Sequence, residues 1–179
     1  MKSRRHSWTA CITGLVLTLT IHGLVRAEAE IDKPAPAFEL QDQYGDYHRL
    51  QDYSGRWLVL YFYPRDDTPG CTIEACNFRE DFQIIRELGA EVVGISIDSI
   101  ESHRKFAEIN GLPFPLLSDP EGKVASSYGA LMDIGPARFA RRQTFIIDDR
   151  GNVARIYRRV NPRTHSGEII SQLQGLMSR

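Results

Sequence analysis

Two cysteines, Cys71 and Cys76, follow the turn-rich run Pro64-Arg65-Asp66-Asp67-Thr68-Pro69-Gly70 and stand five residues apart. The turn predicts that Cys71 falls at the first turn of a helix. Helix N-termini carry unpaired N–H donors and partial positive charge, which favour a thiolate over a thiol. The thiolate is the nucleophilic form, so the pair points to redox or nucleophilic chemistry. On a continuous helix, five residues rise about 7.5 Å and rotate about 140° past a full turn, leaving the Cα atoms roughly 8–9 Å apart. A disulfide needs about 4.4–6.8 Å. These cysteines can bond only if the first helical turns unwind. The loop so closed would be short and would remove little entropy from the unfolded chain. Both points favour a transient bond over a structural staple. A metal site is the third alternative, but the pair lacks the further Cys or His ligands that zinc usually takes. His48, His103 and His165 are scattered along the sequence and read as surface residues.

The elements that must position the pair follow from hydrophobic patterning. Trp57 to Tyr63 is apolar throughout, as a central strand buried on both faces should be. Cys71 to Leu88 predicts one helix, with Phe78, Phe82, Ile85 and Leu88 three to four residues apart and Gly89 closing it. Glu91 to Ile97 reads as a second buried strand and Ile100 to Asn110 as a helix ended by Gly111. Pro115 to Leu117 is a short strand and Gly122 to Tyr128 a short helix. Phe38 to Leu40 and Tyr47 to Leu50 form a hairpin around Gly45. Thr144 to Asp148 and Val153 to Arg158 are strands around the turn at 149–152, and Gly167 to Met177 is a closing helix. Early strand–helix alternation and a late hairpin plus helix predict one α/β domain with a mixed sheet.

The ends refine this. Lys2, Arg4 and Arg5 precede an uncharged, largely apolar run from Trp8 to Val25, and Val25-Arg26-Ala27 fits a small-x-small cleavage pattern. Residues 1–27 therefore read as an export signal, 28–179 as the domain, and Glu28 as the mature N-terminus. An uncleaved membrane anchor is the alternative. Cys11 would leave with the signal. So would four of the 22 basic residues, leaving 18 Lys and Arg against 23 Asp and Glu, a net charge of −5. That balance argues against a nucleic-acid partner, which calls for a basic surface. An exported, periplasmic or equivalent location follows, with no stable membrane association after cleavage.

Pro64-x-x-x-Thr68-x-x-Cys71 resembles the active-site signature of the peroxiredoxins. The longer run through Gly70-Cys71-Thr72 and Glu74-Ala75-Cys76 resembles the bacterioferritin comigratory protein, or Q-type, subgroup. Ser118 to Ala125 and Arg142 to Asp148 are similar to two further segments of that subgroup. The resemblance spans roughly residues 31 to 178. It implies a thioredoxin-like three-layer domain, with a central mixed β-sheet flanked by helices, and a thiol peroxidase acting on hydrogen peroxide and organic hydroperoxides. Cys71 would attack the peroxide and become a sulfenic acid. Cys76 would resolve it into an intrachain Cys71–Cys76 disulfide, which a thioredoxin-like dithiol partner would reduce. No metal, haem or flavin cofactor is implied. Thr68 would hydrogen-bond thiolate and peroxide, with helix capping as its plainer role. Pro64 would shield the pocket, or simply end the strand. Arg142 would stabilise charge on sulfur and on the departing oxygen. Arg141 beside it would point to the opposite face of the same strand. Glu74 is a helix-start acid, which the dipole favours without any catalytic duty. Intrachain resolution needs no second subunit, so a monomer is expected.

Two other classes compete. A thioredoxin-like thiol–disulfide oxidoreductase would act on other exported proteins, but that class usually spaces its cysteines Cys-x-x-Cys and carries a proline ahead of the Thr144 strand. A binding domain with a cysteine staple would not consume a thiol on addition of peroxide.

Overall fold

The structure, a computed structural model, describes residues 28–135 and 137–178. The predicted export signal at 1–27, with Cys11, lies outside the described residues. The elements run β1 (Glu39–Gln41), β2 (Tyr47–Arg49), a 3-10 turn (Leu50–Tyr53), β3 (Trp57–Phe62), α1 (Pro69–Glu80), α2 (Phe82–Glu87), β4 (Ala90–Ser96), α3 (Ile100–Asn110), β5 (Leu116–Ser118), α4 (Lys123–Ser127), β6 (Leu131–Ile134), β7 (Ala137–Ala140), β8 (Gln143–Ile147), β9 (Val153–Tyr157) and α5 (His165–Met177). Seven strands form one sheet in the order β2-β1-β5-β4-β3-β8-β9, and β6 pairs with β7 as a separate hairpin. β3, β4 and β5 are parallel, while β8 runs antiparallel to β3. This is the thioredoxin-like, mixed-sheet α/β fold.

Alternation along β3 builds the three layers. Leu58, Leu60 and Phe62 face a core with Phe145, Tyr128 and Ala125. Val59, Tyr61 and Tyr63 face the other core, with Cys71, Phe78, Ile85, Phe106 and Leu173 from the helices. The continuous apolar run of β3 is needed because neither face meets water. Burying Phe78 at 0% exposure contributes about 1.5–3 kcal/mol and ties α1 to this sheet face.

The helix expected over 71–88 is two helices. The chain bends at Asp81 (φ −92°, ψ 1°), although its N–H still bonds the Asn77 carbonyl. The bend lets α1 lie along α5 while α2 packs on β4, two directions that one straight helix cannot follow. α1 also begins earlier than expected, with Pro69 in its first turn, where the missing N–H costs nothing. The β6–β7 hairpin has no counterpart in the sequence reading. It pairs Leu131 with Ala140 through Ile134 with Ala137.

Candidate active site

The site forms where β3 hands over to α1. Tyr63 extends β3 by one more bond to Ile95 (3.1 Å). Residues 64–68 then turn the chain, with Asp67 in the left-handed region (φ 55°) that Asp tolerates better than most residues. Thr68 is the N-cap of α1 in extended conformation, and its carbonyl takes the first helical bond from Thr72 (2.9 Å). Its hydroxyl donates to the Arg65 carbonyl at 3.1 Å, and neither the helix start nor Cys71 is its partner. Pro64 is half-buried. It lines a groove of about 570 Å³ with Arg65, Ile97, Asp98, Arg138 and Phe139.

Cys71 lies in the first turn of α1, only 2% exposed, with its sulfur 3.1 Å from Nη2 of Arg142. Arg142 reaches it through sheet register. Phe62 at the end of β3 pairs with Gln143 at the start of β8. The residues just after β3 and just before β8 therefore leave the sheet at the same end. Arg142 sits in a bend ahead of β8, not on the strand, so alternating strand faces do not separate it from Arg141. Arg141 is nonetheless exposed and contacts Met132 Sδ at 3.6 Å. Gly70 makes room for the guanidinium: a Cβ there would lie 3.2 Å from Arg142 Nη2.

Nη1 of Arg142 bonds Oε2 of Glu74, one helical turn beyond Cys71. Glu74 is 1% exposed, and its Oε1 has no hydrogen-bond partner. Burial pushes its carboxyl up to about 7, against the pull of Arg142. Burial disfavours charge on Arg142, but the charges of Glu74 and Cys71 outweigh it and hold the guanidinium firmly protonated. Tyr61, 1% exposed, places an unpartnered hydroxyl in the same core. Burial, then the charges of Glu74 and Cys71, keep it un-ionised. Arg142 is thus a two-armed bridge from sulfur to carboxylate. Glu74 had no place in the predicted set. The signal that marks it is i,i+3 spacing from Cys71, which puts both on one helix face.

Cys76 lies on the same intact helix, half-buried, with its thiol 3.8 Å from Asn110 Oδ1 at the end of α3. Both thiols are free. The structure thus brings Cys71 and Arg142 together and leaves Cys76 turned toward a different element.

The histidines correct the sequence reading. Of these three, His103 and His165 are fully buried and His48 is half-buried. His165 Nε2 meets Thr144 Oγ1 at 2.8 Å, and its ring packs edge-on against Phe78 and Tyr157. His103 bonds Asp66 and the Leu117 carbonyl. Each occupies the buried face of its helix, as the apolar positions at 106 and 107, and at 169 and 173, signal. Among the described residues no group of three or more His, Cys, Asp or Glu is arranged to hold a metal ion.

The site is thus a buried thiol at a helix start, bridged by an arginine to a carboxyl group and carried on a thioredoxin-like sheet. The chain belongs to the AhpC/TSA family, whose pattern matches residues 31–156, and it is a peroxiredoxin, a thiol peroxidase that reduces peroxides. Within that class it is similar to Peroxiredoxin Bcp of Bacillus subtilis, 40% identical over 154 residues that cover 84% of this chain and 98% of the relative. Chloroplastic Peroxiredoxin Q of Triticum aestivum is 41% identical over 155 residues, covering 86% and 71%. The crystal structure of Peroxidoxin BcpB from Mycobacterium tuberculosis superposes with a TM-score of 0.78 at 34% identity, over 83% of this chain and 99% of that one. A structure concerned with the alkyl peroxide reduction activity of the Xanthomonas campestris bacterioferritin comigratory protein gives 0.76 at 29% identity, over 83% and 99%.

Proposed function

We propose that Cys71 is the attacking thiolate and Cys76 the resolving thiol of a cycle contained in one chain. The Cys71 sulfur displaces an alkoxide or hydroxide from the peroxide O–O bond. Sulfur becomes a sulfenic acid, and the released oxygen leaves as alcohol or water once protonated. Arg142 balances negative charge as it passes from sulfur to the departing oxygen. The Thr68 hydroxyl donates its hydrogen bond to the Arg65 carbonyl, so its oxygen lone pairs can accept from the peroxide O–H and aim it. Pro64 keeps water from the sulfur. The Cys76 thiol then attacks the sulfenic sulfur, forming the disulfide and releasing water. A thioredoxin-like dithiol protein reduces the bond by exchange and becomes a disulfide itself.

The observation that carries this reading is the 3.1 Å contact between Cys71 Sγ and Arg142 Nη2 at the start of α1. The alkyl peroxide activity named for the Xanthomonas campestris relative supports organic hydroperoxides as substrates beside hydrogen peroxide. The basic start and apolar run of residues 1–27 support export to the periplasm or an equivalent space, where the reductant must also reside. A resolving cysteine in the same chain supports a monomer. The test is turnover of hydrogen peroxide and of an organic hydroperoxide with a dithiol reductant. Activity is expected with both and lost in Cys71→Ser, whose hydroxyl is a far poorer nucleophile. Substantial activity in Cys71→Ser would overturn the assignment. Sequencing of the native N-terminus tests export, with Glu28 expected and Met1 in a soluble cytosolic fraction refuting it.

A further inference from the structure

A second buried polar cluster lies behind the site and touches no reacting atom. Asp66, in the middle of the 64–68 loop, is 5% exposed. Its Oδ1 accepts from the Tyr63 hydroxyl (2.8 Å), and its Oδ2 from Ser102 Oγ (2.7 Å) and His103 Nδ1 (2.8 Å). Nε2 of His103 faces the Leu117 carbonyl at 3.2 Å. Both ring nitrogens therefore have a buried partner. Burial works against the Asp66 carboxylate, but its bonds to His103, Ser102 and Tyr63 prevail and hold it below the usual range. The backbone of Asp66 is tied as well, its N–H bonding Asp98 Oδ2 at 3.0 Å. Asp98 is fixed in turn by Ser96 (2.6 Å) and, through its carbonyl, by Ser118 (2.6 Å). Asp66 is thus bound directly to Tyr63 just after β3, to α3 and to the turn after β4, and through His103 and Asp98 to β5.

The placement of this cluster is informative. Immediately after Asp66 the backbone adopts its positive-φ turn at Asp67, then come the N-cap Thr68 and Cys71. At the far side of the thiol pair, α1 is held by buried Phe78 and by Asn77, whose amide donates to the Pro162 carbonyl at 3.0 Å. The segment between these two anchors contains both cysteines, and it is the segment that must unwind for them to bond.

We propose that Asp66 and His103 form a clamp that holds the stem of the catalytic loop in the wound, peroxide-reactive site and is loosened in the unwound, disulfide-forming one, so that its strength sets the balance between the two. They are positioning residues acting through Thr68 and Cys71. This rests on the thiol cycle proposed above. Loosening the clamp lowers the population of the wound site, so the peroxide step slows. It raises the population of the unwound site, so disulfide closure accelerates.

Opposite signs separate this from ordinary destabilisation, and single-turnover kinetics on the full chain read both steps. His103→Leu should slow the peroxide step about tenfold and speed closure several-fold, as expected when a buried charged hydrogen bond is lost. Asp66→Asn keeps the shape and tests the same point should His103→Leu fail to fold; it should shift both steps the same way by less. Asp66→Asn added to His103→Leu should change less than the sum of the single effects, because the two share one bond while Asp66 also holds Tyr63 and Ser102. Both steps slowing together, or neither moving, would overturn the clamp. Hydrogen exchange in the reduced protein is the arm independent of turnover. Amides of residues 67–73 should exchange faster in the folded variant while those of β3 and α5 hold, and unchanged exchange at 67–73 refutes the proposal. Wild-type protein with no peroxide step would refute the thiol cycle instead, leaving exchange to judge the clamp.

Discussion

Oxidation should make this protein less stable, and the structure sizes the effect. Closing Cys71 to Cys76 requires the first turns of α1 to unwind, since both thiols lie on one continuous helix. The backbone loses little, because helical bonds and the regained chain entropy nearly cancel. The loss is in side chains. Cys71 and Ala75 leave burial at 2% and 1% exposure, which costs about 2–3 kcal/mol at roughly 0.8 kcal/mol per buried carbon-sized group. The Arg142 guanidinium loses its buried acceptors, the Cys71 sulfur and the Glu74 carboxyl, forfeiting about 1.5–3 kcal/mol for hydrogen bonds from a charged donor. Against this, a disulfide closing a six-residue loop returns about 2 kcal/mol by restricting the unfolded chain. The net is a loss of about 2–4 kcal/mol, a Tm roughly 5–15 °C lower at this chain length. Thermal melts of the dithiol and disulfide forms measure it, with hydrogen exchange locating the change. Phe78 should hold the later part of α1 in place, so protection should fall mainly at 71–76. A disulfide form that melts higher, with residues 71–80 equally protected, would show that the pair is a structural staple and that the distance argument fails.

Other outcomes follow from the same geometry. Arg142→Ala should cut the peroxide step by about 10²-fold, the scale of losing one preorganised charge stabiliser, while Arg141→Ala should do little; comparable losses in both, measured by stopped-flow, would refute the bridge. Cys76→Ser should reduce about one equivalent of peroxide and then stall as a sulfenic acid that a sulfenate-specific reagent traps on Cys71; loss of the first turnover would give Cys76 a further role. The carboxyl of Glu74 is raised to about 7 in the folded protein by burial, against the pull of Arg142. Its stabilising proton is therefore fully held below the unfolded value and lost as pH rises to about 7. Glu74→Gln should remove that part of the decline, read as the difference between two urea-denaturation series across this window, and identical pH dependence in both would refute it. Gly70→Ala should shift the guanidinium by a few tenths of an ångström, since the added Cβ would sit 3.2 Å from Nη2, and the peroxide step should fall modestly with the fold intact; an unchanged rate by stopped-flow would refute the crowding.

Much of this was legible in the residues because it is local. The apolar run 57–63 needs two covered faces, and β3 has them. Gly111 ends α3 in the left-handed conformation its lack of a Cβ permits. Pro69 and the turn before it place Cys71 at a helix start, and the five-residue spacing alone forbids a disulfide on the intact helix. Longer-range facts needed the tertiary structure. Asp81 bends because α1 and α2 pack on different partners, a demand that periodicity within the segment does not carry. Arg142 meets Cys71, 71 residues away in sequence, because Phe62 pairs with Gln143 across two antiparallel strands. Sequence similarity selected that arginine, but only register explains how it arrives from outside the strand. Glu74, His103 and Asp66 are polar side chains that patterning assigns to solvent. They are buried because each meets a partner from a distant segment, and a buried polar group persists only where such a partner is supplied.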